Sequence, residues 1–314
     1  MLLFRRFRCW ILALGLLPLA LACGESGGPA PAPSNADSSA LQASAPVSQA
    51  APEEAHVEGD WLVERLPAEP PHLNPLTSSD AYASSVMLHI FDGLLYRDPE
   101  TLEMKPNVAE SVEESDDHLT YTFHLRKDVV FSDGEPLTAG DVKFTFDKVM
   151  DPLVDAPHLR NYFNSVASCE VADEYTVRFT CTKPYYRHLV MIGSLEIIPE
   201  HIYGTGDFNS HPNNRQPVGS GRYRLDSWKT NEEIVLVRNE KYWGKDTGRW
   251  PWFDRRIFKI IPDSTVALQV LRQGGIDADT LRAEDWVGPA SQPDFEEKFN
   301  KYEYYAPRYT YLGW

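Results

Sequence analysis

The stretch PVGSGRYRLDSWKTNEEIVLVRNEKYWG, Pro217 to Gly244, decides how the chain is read. Gly219 and Gly221 flank Ser220, an arrangement shared by phosphate cradles, nucleophile turns and plain scaffold. A phosphate cradle needs several backbone N–H groups at the start of a helix. The residues after Gly221 instead alternate, Tyr223, Leu225 and Ser227 against Arg222, Arg224, Asp226 and Trp228, which is the period of a strand. EEIVLVRN supplies the returning strand, with Lys229-Thr230-Asn231 as the turn. The spacing therefore predicts a glycine turn feeding a hairpin, its glycines serving positive φ or a close backbone approach. A Ser220 nucleophile would need a partnered base, and the G-x-S-x-G frame is absent.

Outward from this hairpin the pattern mixes strands and helices. Residues 60–66 read as a strand, and 119–125 alternate apolar Leu119, Tyr121, Phe123 and Leu125 with polar neighbours. A helix is predicted over 80–95, placing Val86, Met87, Ile90, Phe91, Leu94 and Leu95 on one face. Asp133-Gly134 marks a turn. Thr138, three residues before Asp141, marks the capped start of a second helix bearing Val142, Phe146 and Val149. Residues 168–181 read as a hairpin turning near Asp173-Glu174. FKIIPD (258–263) is a strand, followed by a helix capped by Asp263 or Ser264 that stops at Gly274-Gly275. No internal repeat is visible.

The N-terminus reads as an export signal over 1–22. MLLFRRFR is basic, residues 9–21 form an apolar run too short to span a bilayer, and small residues lead to Cys23. LALAC resembles a bacterial lipobox, which makes Cys23 the lipid anchor; the alternative is ordinary cleavage after Ala20-Leu21-Ala22. Residues 23–58 are rich in Ala, Pro, Ser and Gly and hold no aromatic residue, so they read as a disordered linker. Removing Arg5, Arg6 and Arg8 with the signal takes the net charge from −16 to −19, which repels nucleic acid. The oxidising setting outside the cytoplasm allows a Cys169–Cys181 disulfide across the predicted hairpin. The alternative is a pair of half-buried thiols.

Enzyme and metal signatures are missing: no H-E-x-x-H, C-x-x-C or Walker A sequence occurs, and the histidines are scattered. Gly204-Thr205-Gly206 has Asn209 where a dinucleotide fingerprint needs its third glycine. No catalytic residue, metal or cofactor is therefore expected.

LTYTFHLRKDVVFSDGEPLTAGDV (119–142), the opening stretch, and FKIIPDSTVALQVLRQGGIDAD (258–279) occur in this order. With them, from about residue 65 onward, the chain resembles the bacterial extracellular solute-binding proteins of family 5, the oligopeptide, dipeptide and nickel type. It departs from the usual pattern at Ser220 and Arg222, where Thr and Pro are common. The resemblance implies an α/β, periplasmic-binding-protein-like fold (type II, clamshell). Residues 59–270 would form lobe I and 271–314 only the start of lobe II, C-terminally truncated and poorly packed. It further implies a substrate-binding lipoprotein of an ABC importer in the periplasm or cell envelope. That protein captures peptides or peptide-like solutes in an interlobe cleft and works with a permease/ATPase complex. The resemblance points to Glu69, Pro70 and Pro71, after the first strand, as ligand-facing. Tyr309, Tyr311 and Trp314, near the lobe junction, are the other candidates. Their alternatives are a stiff loop and core packing. Two other readings are a ligand sensor or partner-binding lipoprotein without transport, and an exported hydrolase centred on Ser220.

Overall fold

The computed structural model describes residues 2–5 and 59–303. Of the expected signal, residues 1 and 6–22 lie outside the described residues, as do the linker, Cys23, and Tyr309, Tyr311 and Trp314. Residues 2–5 form β1 (Leu2–Arg5), antiparallel to β12 (Phe299–Tyr302).

Two four-stranded sheets carry the rest. The first holds β2 (Trp61–Leu66), β9 (Tyr223–Lys229), β10 (Glu233–Arg238) and β11 (Arg255–Ile260), in the order β2-β11-β10-β9. The β9/β10 hairpin is antiparallel, whereas β2 runs parallel to β11 with Trp61 opposite Arg255. The second sheet is antiparallel throughout, in the order β5-β6-β8-β7, from β5 (Ala109–Glu114), β6 (Thr120–Leu125), β7 (Val166–Asp173) and β8 (Thr176–Cys181). The short pair β3 (Leu95–Arg97) and β4 (Met104–Pro106) stands beside them.

Helix starts follow the caps. Asp80 accepts from Ala83 N at 2.7 Å to open α1 (Ala81–Met87). At α2 (Ala139–Met150), Thr138 N donates to Asp141 Oδ2 at 2.9 Å as half of a capping box. Helices α3 (Pro157–Phe163), α4 (His188–Gly193) and α5 (Glu200–Tyr203) are short. Asp263 caps α6 (Ser264–Arg272), accepting from Thr265 N and Val266 N at 2.8 Å each. Gly274, at φ +76°, ends it, and α7 (Ala283–Val287) and α8 (Pro293–Glu296) follow.

The helix predicted over 80–95 stops at Met87. The six residues expected on its apolar face, Val86, Met87, Ile90, Phe91, Leu94 and Leu95, are all buried, so the side-chain pattern holds while the backbone differs. The cause is the Gly219–Gly221 turn. Ile90 O accepts from Gly221 N at 2.8 Å and His89 O from Tyr223 N at 3.0 Å, so these carbonyls serve the turn instead of a continuing helix. The approach is close: a Cβ on Gly219 would lie 2.1 Å from Ile90 O, and one on Gly221 2.6 Å from His89 O. Neither glycine has positive φ, so close approach alone explains both.

The main core joins both sheets with α1 and α2. A second cluster gathers Val63, Leu268, Leu271, Ile276, Leu281, Phe295 and Phe299. Residues 271–303 are thus packed around a core of their own, contrary to the expected loose packing, within the same compact unit as 59–270.

Candidate functional site

Strand β11, α6 and residues 277–280 form one parallel crossover. Glu64 bridges Ala278 in parallel, and Asp277 N donates to Val63 O at 2.7 Å. The segment after α6 therefore lines up beside β2, which ends up between two parallel neighbours. Three chain segments thus run their carboxyl ends to one edge, the place where open α/β sheets leave a crevice for ligands. A cavity of about 740 Å³ opens there. Alternation sets its lining: Glu64 and Leu66 share one face of β2, and on β11 Phe258 stands opposite Glu64, with Arg256 two residues before it, opposite Leu62. Tyr82, Leu88 and His89 close it from the α1 side, and Asp279 and Thr280 from the crossover end.

Charges on this floor are paired. Arg256 holds Glu64 with a forked contact, Nε to Oε2 at 3.0 Å and Nη2 to the same oxygen. Its Nη1 lies 3.5 Å from His89 Nδ1. Burial, aided by the charges of Arg256 and Arg222, holds the His89 imidazole well below the usual histidine range, so the ring is neutral. Phe258 stacks on this ring at 6.1 Å and Tyr223 meets it edge-on at 5.9 Å. Arg65 donates to Ile261 O and Pro262 O at 2.8 Å each, and its Nη1 lies 3.6 Å from Asp279 Oδ1. Burial raises the Asp279 carboxyl, and Arg65 pulls it back only partly. Glu64 and Arg256 remain about one-fifth exposed. The site thus offers both signs of charge beside an apolar wall, which suits a polar solute with donors and acceptors.

Among the described residues no group of His, Cys, Asp and Glu could hold a metal ion. Ser220 is fully buried and its Oγ finds no partner, which removes it as a nucleophile. Glu69 is an anchor for its own loop. Its carboxylate accepts from Trp228 Nε1 at 2.7 Å, Asn231 N at 2.9 Å and Arg215 Nη2 at 3.2 Å. Pro70 is buried and Pro71 exposed, and of this loop Pro67 lines the cavity. Cys169 and Cys181 are free thiols, which corrects the expected disulfide. The register sets Cys169 opposite Phe179 and Cys181 opposite Val166. The pair is therefore diagonal across the ladder, where Cα atoms stand about 7–8 Å apart, beyond ordinary disulfide reach. Sequence reading missed Glu64, Arg65, Arg256 and Asp279. The available signal was the Glu-Arg pair inside the otherwise apolar WLVERL strand.

Residues 103–313 match the family described as bacterial extracellular solute-binding proteins, family 5 Middle. Protein XP55 of Streptomyces lividans is 37% identical over 215 residues, 68% of this chain and 38% of that protein. The oligopeptide-binding protein AppA of Bacillus subtilis is 31% identical over 268 residues, 82% of this chain and 46% of AppA. Its structure with a nonapeptide superposes with a TM-score of 0.68 at 28% identity, covering 75% of this chain and 46% of AppA. NikZ of Campylobacter jejuni, in complex with Ni(L-His), gives 0.63 at 30% identity over 69% and 42% of the two chains. The chain spans less than half the length of these relatives. Its two sheets with the crevice between parallel strand ends are a type II periplasmic-binding-protein arrangement, and the chain belongs to the bacterial extracellular solute-binding proteins of family 5.

Proposed function

We propose that residues 59–303 supply one wall of a solute cleft in a substrate-binding protein of an ABC importer, and that the solute is a peptide or peptide-like molecule. The observation that carries this reading is the cavity at the parallel strand ends, with Glu64–Arg256 and Arg65–Asp279 on its floor. A peptide brings an ammonium, a carboxylate and a row of amides, and paired charges of both signs can exchange partners with it. Glu69 fixes the loop after β2, Pro70 and Pro71 stiffen it, and Tyr309, Tyr311 and Trp314 are proposed to approach the same solute. The protein is exported and held at the cell envelope by a lipid on Cys23, where it meets the permease.

The test is calorimetric titration with di- to nonapeptides alongside uptake of a labelled peptide by cells carrying the protein. Binding that weakens at least tenfold in Glu64→Gln or Asp279→Asn supports the reading. Peptides that bind these variants as tightly as the parent overturn the cleft assignment. Uptake that persists when the protein is deleted overturns the transport role. Loss of labelled fatty acid in Cys23→Ala checks the anchor.

A further inference from the structure

Four charged residues line the solute cavity, Glu64, Arg65, Arg256 and Asp279, and their charges cancel in number. They are not equally open to a ligand. Arg65 Nε and Nη2 donate to Ile261 O and Pro262 O, Nη1 is turned to Asp279 Oδ1 at 3.6 Å, and the side chain is 8% exposed. Arg256 gives Nε and Nη2 to Glu64 Oε2, and its Nη1 lies 3.5 Å from His89 Nδ1. Every nitrogen of the two guanidinium groups thus faces an acceptor within the protein. His89 is held neutral and adds no charge.

The carboxylates are left half open. Both Arg256 contacts fall on Glu64 Oε2, and Oε1 has no partner among the described residues. Asp279 Oδ1 accepts from Thr280 N at 2.8 Å and faces Arg65, while Oδ2 has no partner among the described residues. Neither open oxygen is sealed from solvent. The parallel bridge of Glu64 with Ala278 puts Glu64 and Asp279 on neighbouring segments, so both oxygens belong to one stretch of the cavity. Arg65 offsets the burial of Asp279 only in part, so the negative charge there still gains from a further cation.

These open valences sort solutes by charge. A solute carboxylate must displace a guanidinium contact before it finds a donor. A neutral side chain strips water from the two oxygens and returns no hydrogen bond, which costs binding. An ammonium or guanidinium needs no displacement and forms charge-assisted bonds with both oxygens as they stand. The wider field favours the same sign: with the four lining charges cancelling, the net −16 of the chain draws cations to the cleft and repels anions. On the reading of this cavity as a cleft wall, we propose that the solute is cationic, a peptide whose lysine or arginine side chains are held at Glu64 Oε1 and Asp279 Oδ2.

The experiment is calorimetric titration of the purified protein with the tripeptides Lys-Ala-Lys, Ala-Ala-Ala and Glu-Ala-Glu, and with Lys-Ala-Lys acetylated on both side-chain amines. Lys-Ala-Lys is expected to bind about tenfold or more tightly than Ala-Ala-Ala, with Glu-Ala-Glu the weakest. Acetylation should abolish the advantage of lysine, and raising the salt concentration should shrink it. Glu64→Gln and Asp279→Asn should each cut the ratio of Lys-Ala-Lys to Ala-Ala-Ala affinity by about threefold or more. Should these variants melt early, the acetylated peptide on the parent protein carries the test. Equal affinity for the three peptides, tighter binding of Glu-Ala-Glu, or an acetylated peptide that binds as tightly as its parent overturns the proposal and leaves the cleft reading standing. A lysine preference that survives intact in both folded variants overturns the assignment to these two oxygens. Failure of every peptide to bind at millimolar concentration overturns the proposal and the cleft reading together.

Discussion

Gly219→Ala should be among the most damaging single-methyl additions in this fold. The added Cβ would stand 2.1 Å from Ile90 O and 2.9 Å from the Phe91 ring, closer than real Cβ atoms come. Backbone on one side must give way. Forced overpacking costs about 1–3 kcal/mol. The displacement also strains two hydrogen bonds, Gly221 N to Ile90 O at 2.8 Å and Ser132 N to Gly219 O at 2.9 Å. Each is worth about 0.5–1.5 kcal/mol. The total centres on about 4 kcal/mol, a large share of the 5–15 kcal/mol typical of a domain. At about 2–4 °C per kcal/mol for a unit of this size, the melting point should fall by about 8–16 °C. Gly248→Ala is the control: it has positive φ, +71°, and nothing within 4 Å of the added methyl. It should cost about 1–2 kcal/mol. Thermal unfolding followed by circular dichroism decides the matter. A Gly219→Ala protein that melts no lower than Gly248→Ala would refute the close-approach account of this turn.

Glu196 is pushed up to about 7 by burial and the neighbouring Asp92, whose own carboxyl burial also raises. A carboxyl raised in the folded state binds its proton more tightly there than in the unfolded chain. Its contribution is therefore full below about pH 4.5 and is lost as pH rises through 7. Melting points taken from pH 4.5 to 8 should fall across this window, and Glu196→Gln should flatten the fall. Burial pushes the Cys169 thiol up to about 12 and Cys181 to about 11. Peptide mass mapping after alkylation at pH 8 should find both unmodified in the native protein and both labelled in denaturant. Thr138→Ala removes the hydroxyl of the α2 capping box and should lower the melting point by about 2–4 °C.

Much of the fold was legible because period and punctuation are local. The β9/β10 hairpin, the caps at Thr138 and Asp263, and the stop at Gly274 were all read from neighbouring residues. The end of α1 was not, because the carbonyls of His89 and Ile90 are claimed by a segment about 130 residues away. The solute cavity was hidden for the same reason. Glu64 and Arg256 meet only once β2 and β11 pair, and nothing near either residue announces the other. The cysteines show the limit of hairpin logic: the hairpin was correct, but a bridge depends on register to the residue. Glu69 was read as ligand-facing from its place after the first strand, whereas the partners of its carboxylate in the fold are Trp228, Asn231 and Arg215, all more than 140 residues away in sequence.

The parallel pairing of β2 with β11 sets a schedule for synthesis. Trp61 must wait for Arg255, roughly 190 residues later, before its ladder can close. At about 5–20 residues per second that interval lasts about 10–40 s. The antiparallel sheet from β5 to β8 is contiguous in the chain and can assemble while β2 still has no partner. An apolar strand left open so long is a template for wrong pairing. A chain built this way gains from being kept unfolded until all of it is made, which is the state in which a secretion channel threads its cargo.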